Sequence, residues 1–119
     1  MKFTLLEVKN AEQGLVKIMQ KELPIKVSYR ISKIINIFRK ESSEIEDARV
    51  KLVKKYGKED KEGNIKIEEE KQDEFRNEFA EFLQEEIEIN LEPISIEDIG
   101  NITISPLDMA NMEKIFKEN

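Results

Sequence analysis

The sequence predicts a mostly helical α+β fold in a single domain, and three observations predict it. Apolar residues recur at helical spacing from Ile25 to Tyr56, far enough for one long central helix. Shorter stretches on either side, about 5–22 and 70–85, repeat that spacing. Elsewhere the period drops to two, at Ile65–Ile67 and Ile87–Leu91, with a further apolar pair at Ile102 and Ile104. The expected architecture is an antiparallel helical hairpin with a long central helix, a third helix, a small β-sheet and a C-terminal helix. Its expected layout within 1–119 is hairpin 5–56, turn 57–64, helix plus small sheet 65–104, and last helix 106–117.

Thr4-Leu5-Leu6-Glu7 has the form of a capping box, in which the threonine hydroxyl and the glutamate each take an orphan amide. A helix from Leu5 to about Glu22 follows, with Leu5, Val8, Ala11, Leu15, Ile18, Met19 and Leu23 on one face. Gly14 weakens it slightly or permits a close helix contact. Leu23-Pro24 breaks it, because proline disfavours α conformation in the residue before it. So short a turn favours an antiparallel hairpin.

In the central helix, Ile31, Phe38, Ile45 and Leu52 fall at intervals of seven, with Val27, Ile34 and Ala48 beside them on the seam. A helix of about 30 residues is roughly 45 Å long, more than an 18-residue partner can cover, so a homodimer through this helix is expected. Glu41, Ser42 and Ser43 interrupt the seam, which leaves open a bend or break there and, with it, two shorter helices folded back in a monomer. Gly57, after Lys54-Lys55, suits a positive-φ stop.

The polar stretch Lys58–Asn64 reads as a turn, followed by a strand at 65–67. Phe75, Phe79, Phe82 and Leu83 form the apolar stripe of the third helix. Ile87, Ile89 and Leu91 alternate with polar residues up to Pro93, which ends a strand or marks an edge. Ser95-Ile96-Glu97-Asp98 caps a single turn before Gly100, and Ile102–Ile104 reads as another short strand. Ser105-Pro106-Leu107-Asp108 places an N-cap serine, proline at N1 and an acid at N3, opening a helix to Lys117. The expected core is Leu15, Ile18, Val27, Ile31, Ile34, Phe38, Ile45, Leu52, Phe75, Phe79, Phe82, Ile87, Ile89 and Ile102.

Composition excludes several chemistries. Without cysteine there is no disulfide or thiolate, and without histidine the commonest general base and metal ligand are gone. No apolar run reaches the length of a membrane span, and no secretory pattern opens the chain, so the cytoplasm is the expected location. Carboxylates are plentiful (Glu68, Glu69, Glu70, Glu85, Glu86 and Asp98 among them), but no pair is singled out for acid–base work. Four glycines form no phosphate loop. A calcium loop begun at Lys58 would place Asp60, Gly63 and Glu69 suitably, but Glu62 is long for its site and lysine stands where aspartate should anchor the ion. Neither a cofactor nor a metal site is expected, and the chain is not expected to be an enzyme.

Charge is unevenly spread. Residues 1–57 carry 13 Lys/Arg against 7 Asp/Glu, a net +6, while residues 58–119 carry 7 against 19, a net −12. Lys26, Arg30, Lys33 and Lys40 line one flank of the central helix, but only Tyr29 is interleaved, so nucleic-acid binding is not expected. The acidic half suits a basic protein partner. The residues expected to meet it are Glu85, Glu86, Glu88, Glu92, Glu97 and Asp98, clustered around the predicted strand.

The segments Leu23-Pro24-Ile25-Lys26-Val27-Ser28-Tyr29-Arg30-Ile31, Lys55-Tyr56-Gly57-Lys58-Glu59-Asp60 with Gly63, Ile87-Glu88-Ile89-Asn90-Leu91-Glu92-Pro93-Ile94 and Ile104-Ser105-Pro106-Leu107-Asp108 resemble the pattern of small proteins encoded by tailed phages and prophages. The likeness runs in order along nearly the whole chain. It implies a phage context, hence the host cell cytoplasm, and carries over no catalytic residue. Small acidic phage proteins without enzymatic machinery are often partner-binding factors. The expected function is a non-enzymatic inhibitor of a host defence or nucleic-acid-handling complex, acting through an acidic surface. The alternative is a virion (tail or head) assembly accessory that binds through apolar helix faces.

Overall fold

The structure, a computed structural model, describes residues 1–118. Strand β1 (Lys2–Thr4) leads directly into α1 (Leu5–Met19), and the central helix α2 (Ile25–Tyr56) follows after a short turn. Strands β2 (Gly57–Glu59) and β3 (Ile65–Ile67) form a hairpin, and α3 (Glu69–Leu83) comes next. The chain closes with β4 (Glu86–Glu88), β5 (Ile94–Ser95), α4 (Ile96–Ile99), α5 (Pro106–Asn111) and β6 (Phe116–Lys117). The fold is α+β and mostly helical.

The central helix is continuous for 32 residues, with no break at Glu41–Ser43. At 1.5 Å per residue it is about 48 Å long, and it accounts for the 52 Å long axis of the molecule. Phe38 and Ile45, both buried, lock the seam on either side of the polar interruption. Helix α1 covers the first half of α2, with the Phe3 ring edge-on to Phe38 at 5.4 Å. Helix α3 runs back along the second half. Tyr56 meets Phe75 at 6.5 Å, and Lys55 Nζ lies 2.7 Å from Glu78 Oε1.

The capping box at Thr4 forms as the residues predict. Glu7 N donates to the Thr4 hydroxyl at 3.1 Å, and Thr4 N donates to Glu7 Oε1 at 2.9 Å. Helix α1 stops at Met19 rather than Glu22, because Gln20 N and Lys21 N tighten onto Lys17 O and Ile18 O. The Ser105 cap is also present, its hydroxyl accepting from Asp108 N at 3.1 Å.

Four expectations are corrected. Gly57 is not a positive-φ stop: its φ is −96°, and it begins β2. A glycine is required there because a Cβ would strike Ile65 Cγ2 and stand 2.6 Å from Val53 O. The small sheet is not one sheet of 65–67, 87–91 and 102–104. Three separate pairs form instead: β1 with β4 antiparallel, β2 with β3 antiparallel, and β5 with β6 parallel. Ile102–Ile104 is not a strand, and its two isoleucines are half-buried. Finally, the last helix ends at Asn111, not Lys117. A turn there leaves Ile115 O to accept from Ile94 N at 2.8 Å, and Phe116 pairs with Ile94.

The core runs along α1 and the first half of α2. Leu15, Ile18, Val27, Ile31, Ile34, Phe38, Ile45 and Ile89 are buried as expected. Leu52, Phe75, Phe79 and Phe82 are only half-buried, because α2 beyond Ile45 is covered on one side alone, and Ile87 in β4 and Ile102 before α5 are half-buried as well. Their expected share of the core is taken by Phe3, Ile94, Met112, Ile115 and Phe116.

Candidate functional site: an acidic edge

Helix α3 sets the site. Its phenylalanines turn toward α2, so the opposite side of the helix must carry its charges. Glu70, Asp73, Asn77 and Glu81 fall on that outward stripe, and all four are exposed. Arg76 approaches Asp73 only loosely, at 3.8 Å. The turn after Leu83 delivers Glu85 and Glu86, both exposed, to the end of the stripe. The turn is anchored by its backbone, since Leu5 N donates to Glu85 O at 2.9 Å and Thr4 pairs with Glu86.

Of the six carboxylates expected at the site, Glu85 and Glu86 therefore continue the edge. Glu88 has a different role. The Met1 amine donates to its carboxylate and holds it below the usual carboxylate range. Glu92 lies in the connection before β5, and Glu97 and Asp98 sit on α4, beyond the buried pair Ile94–Ser95. These last three are exposed but belong to other elements. The contribution of α3 went unread in the sequence, although Glu70 and Asp73 three apart, with Asn77 and Glu81 at further helical spacing, lie opposite the phenylalanine stripe and describe one helix edge.

Every resolved carboxylate shift is downward. In Glu46, Glu68, Glu78 and Glu88 the leading cause is a hydrogen bond from Arg49, Lys58, Lys55 and the Met1 amine respectively. Glu7 differs, since burial pushes it up but Lys114 and Thr4 together outweigh that. These five carboxylates are held ionised by cations or hydrogen bonds within the chain itself.

The turn weighed for calcium is held by Asp60. Its Oδ1 accepts from Glu62 N at 2.9 Å and Asn64 N at 3.0 Å, and Gly63 takes a φ of +84°. Among the described residues no group of three or more acidic side chains is placed to hold a metal ion. The basic flank of α2 is also broken. Arg30 turns inward to donate to Pro93 O at 3.4 Å, while Lys33 lies over Tyr29 at 4.5 Å. Among the described residues no helix is long and apolar enough to cross a membrane.

No protein-family model, curated protein or solved structure matches this chain.

Proposed function

We propose that this chain is a non-enzymatic binding protein whose acidic edge occupies a basic surface that otherwise holds nucleic-acid phosphates. The supporting observation is the segregation of charge on α3. Glu70, Asp73 and Glu81 line its outward stripe and Glu85 and Glu86 prolong it, all exposed. A one-signed edge of this kind steers a basic partner and competes with phosphates for the same cations. The resemblance to small phage-encoded proteins supplies the context: an inhibitor of a host defence or nucleic-acid-handling complex, working in the host cell cytoplasm. The test is capture of partners from infected-cell lysate followed by a salt titration. The reading expects a basic, nucleic-acid-handling partner released by moderate salt. Head or tail proteins that stay bound at high salt would overturn it.

A second reading, a virion-assembly accessory, draws on the half-buried Phe75, Phe79 and Phe82 beside α2. Binding there would show little salt dependence.

A further inference from the structure

The outer half of the hairpin is a two-helix layer with an unfinished face. Beyond Ile45 no residue of α2 is fully buried, and α3 fully buries only Leu83. Phe75, Phe79 and Phe82 stack on one another at 6.1 and 6.3 Å yet stay half-exposed. On one side of the layer a groove of 340 Å³ opens, with Ala48, Leu52 and Phe82 as its floor and Lys51, Lys55 and Glu78 as its rim.

The rim is polarised across the groove. Along the α2 side run Lys51 and Lys55, with Lys54 exposed next to them on the same helix. On the α3 side the rim is Glu78, with Glu74 and Glu81, both exposed, four before and three after it on the same helix. Lys55 and Glu78 already pair within the chain, whereas Lys51 and Lys54 face outward from one helix and Glu74 and Glu81 from the other. Such a face is self-complementary under one symmetry operation and self-repulsive under another. A two-fold axis lying in the face and perpendicular to the helices would set α2 on α2 and α3 on α3, like charge on like. An axis parallel to the helices sets each α2 over the other chain's α3, so that the lysine flank meets the glutamate flank twice.

We infer that this face is the interface of a homodimer, in which two such layers close an antiparallel four-helix bundle about an axis parallel to α2. The packing then buries Leu52 and Phe82 between layers, as interior positions of a bundle require. The matched flanks fix which helix lies on which. The contact covers the outer half of the hairpin, since Glu44 and Asp47 continue the α2 flank with the wrong sign. It leaves Glu70, Asp73, Glu85 and Glu86 outside and shares only Glu81 with the acidic edge, so loss of the dimer with partner capture kept, or the reverse, tells the two readings apart.

The absence of cysteine makes the arrangement directly readable. Light scattering of the wild-type chain at high micromolar concentration should give twice the 14.0 kDa chain mass. A monomer there overturns the proposal. Mixing Lys51→Cys with Glu81→Cys chains under mild oxidation should give mainly the mixed disulfide. Predominant Lys51→Cys self-pairing would instead place α2 on α2 and reject the axis. Lys51→Glu with Lys54→Glu should weaken the dimer about tenfold or more. Adding Glu74→Lys and Glu81→Lys should restore it, with the helical circular dichroism unchanged throughout. A folded quadruple variant that remains monomeric also overturns the proposal.

Discussion

Met112 lies directly on Gly14. A Cβ added at residue 14 would stand 2.5 Å from Met112 Cγ and 2.9 Å from the Asp108 carbonyl oxygen. The short helix α5 thus presses its backbone onto α1 at a point where only glycine leaves room. Gly14→Ala would gain about 1 kcal/mol of helix propensity but incur an overpacking cost of about 1–3 kcal/mol. Met112 can rotate away, whereas a carbonyl oxygen of α5 cannot. The expected outcome is a net loss of about 1 kcal/mol in urea unfolding. A more stable variant would show that α5 does not press on α1.

A phenylalanine in the inner half of the molecule and one in the outer α2–α3 layer should differ in cost. Phe38 is fully buried and edge-on to Phe3, so Phe38→Ala should lose about 3–5 kcal/mol. Phe79 is only half-buried, with Lys9 over its ring at 5.4 Å. Phe79→Ala should therefore lose about 1–2 kcal/mol, less than the full core value. Equal losses in the two variants would mean that the outer layer is as well covered as the inner one.

What the sequence could reveal follows from how local each signal is. The long helix, the Thr4 capping box and the Ser105 cap depend on residues within a few positions of one another, and all three form. Strand β1 escaped notice because three residues are too few to show a period, and its partner lies 84 positions away, Phe3 opposite Ile87. The β5–β6 pair, only two residues on each side, is likewise set by tertiary contact between Ile94 and Phe116. It also shortens the last helix, since burying Met112, Ile115 and Phe116 matters more than completing two further turns. Of the acidic site, Glu85 and Glu86 were legible as exposed acids. The role of Glu88 was not, because its partner is the amine of Met1, 87 residues away.

Acid should weaken α1 through Glu7. Burial alone would raise this carboxyl, but donation from Lys114 Nζ and Thr4 N, with the Lys114 charge, holds it below its ordinary 4.5. A carboxyl with a lowered folded-state pKa contributes stability that is complete above 4.5 and lost as pH falls through the folded value. Glu7→Gln should therefore destabilise the protein at neutral pH and converge with the wild type well below 4.5. Thr4→Ala removes the other half of the box and should cost about 1 kcal/mol. A Glu7→Gln deficit that persists in acid would assign the effect to packing rather than charge.

The acidic edge calls for a charge-reversal test that spares the fold. Glu88 is unsuitable, since its carboxylate holds the Met1 amine beside the β1–β4 pair, and reversing it would place two cations there. Glu70, Asp73, Glu85 and Glu86 are all exposed, and Asp73 has Arg76 at 3.8 Å. Surface substitutions of this kind usually change stability by no more than about 0.5 kcal/mol each. Replacing all four with lysine should leave the thermal melt near that of the wild type while weakening partner capture at least tenfold. The salt dependence of what binding remains should flatten, because the contacts that salt screens are gone. Each single reversal should act mainly on the association rate, as rim charges do. A folded quadruple variant that binds with unchanged affinity and salt slope would reduce the edge to solvated surface, leaving the apolar layer beside α2 as the binding face.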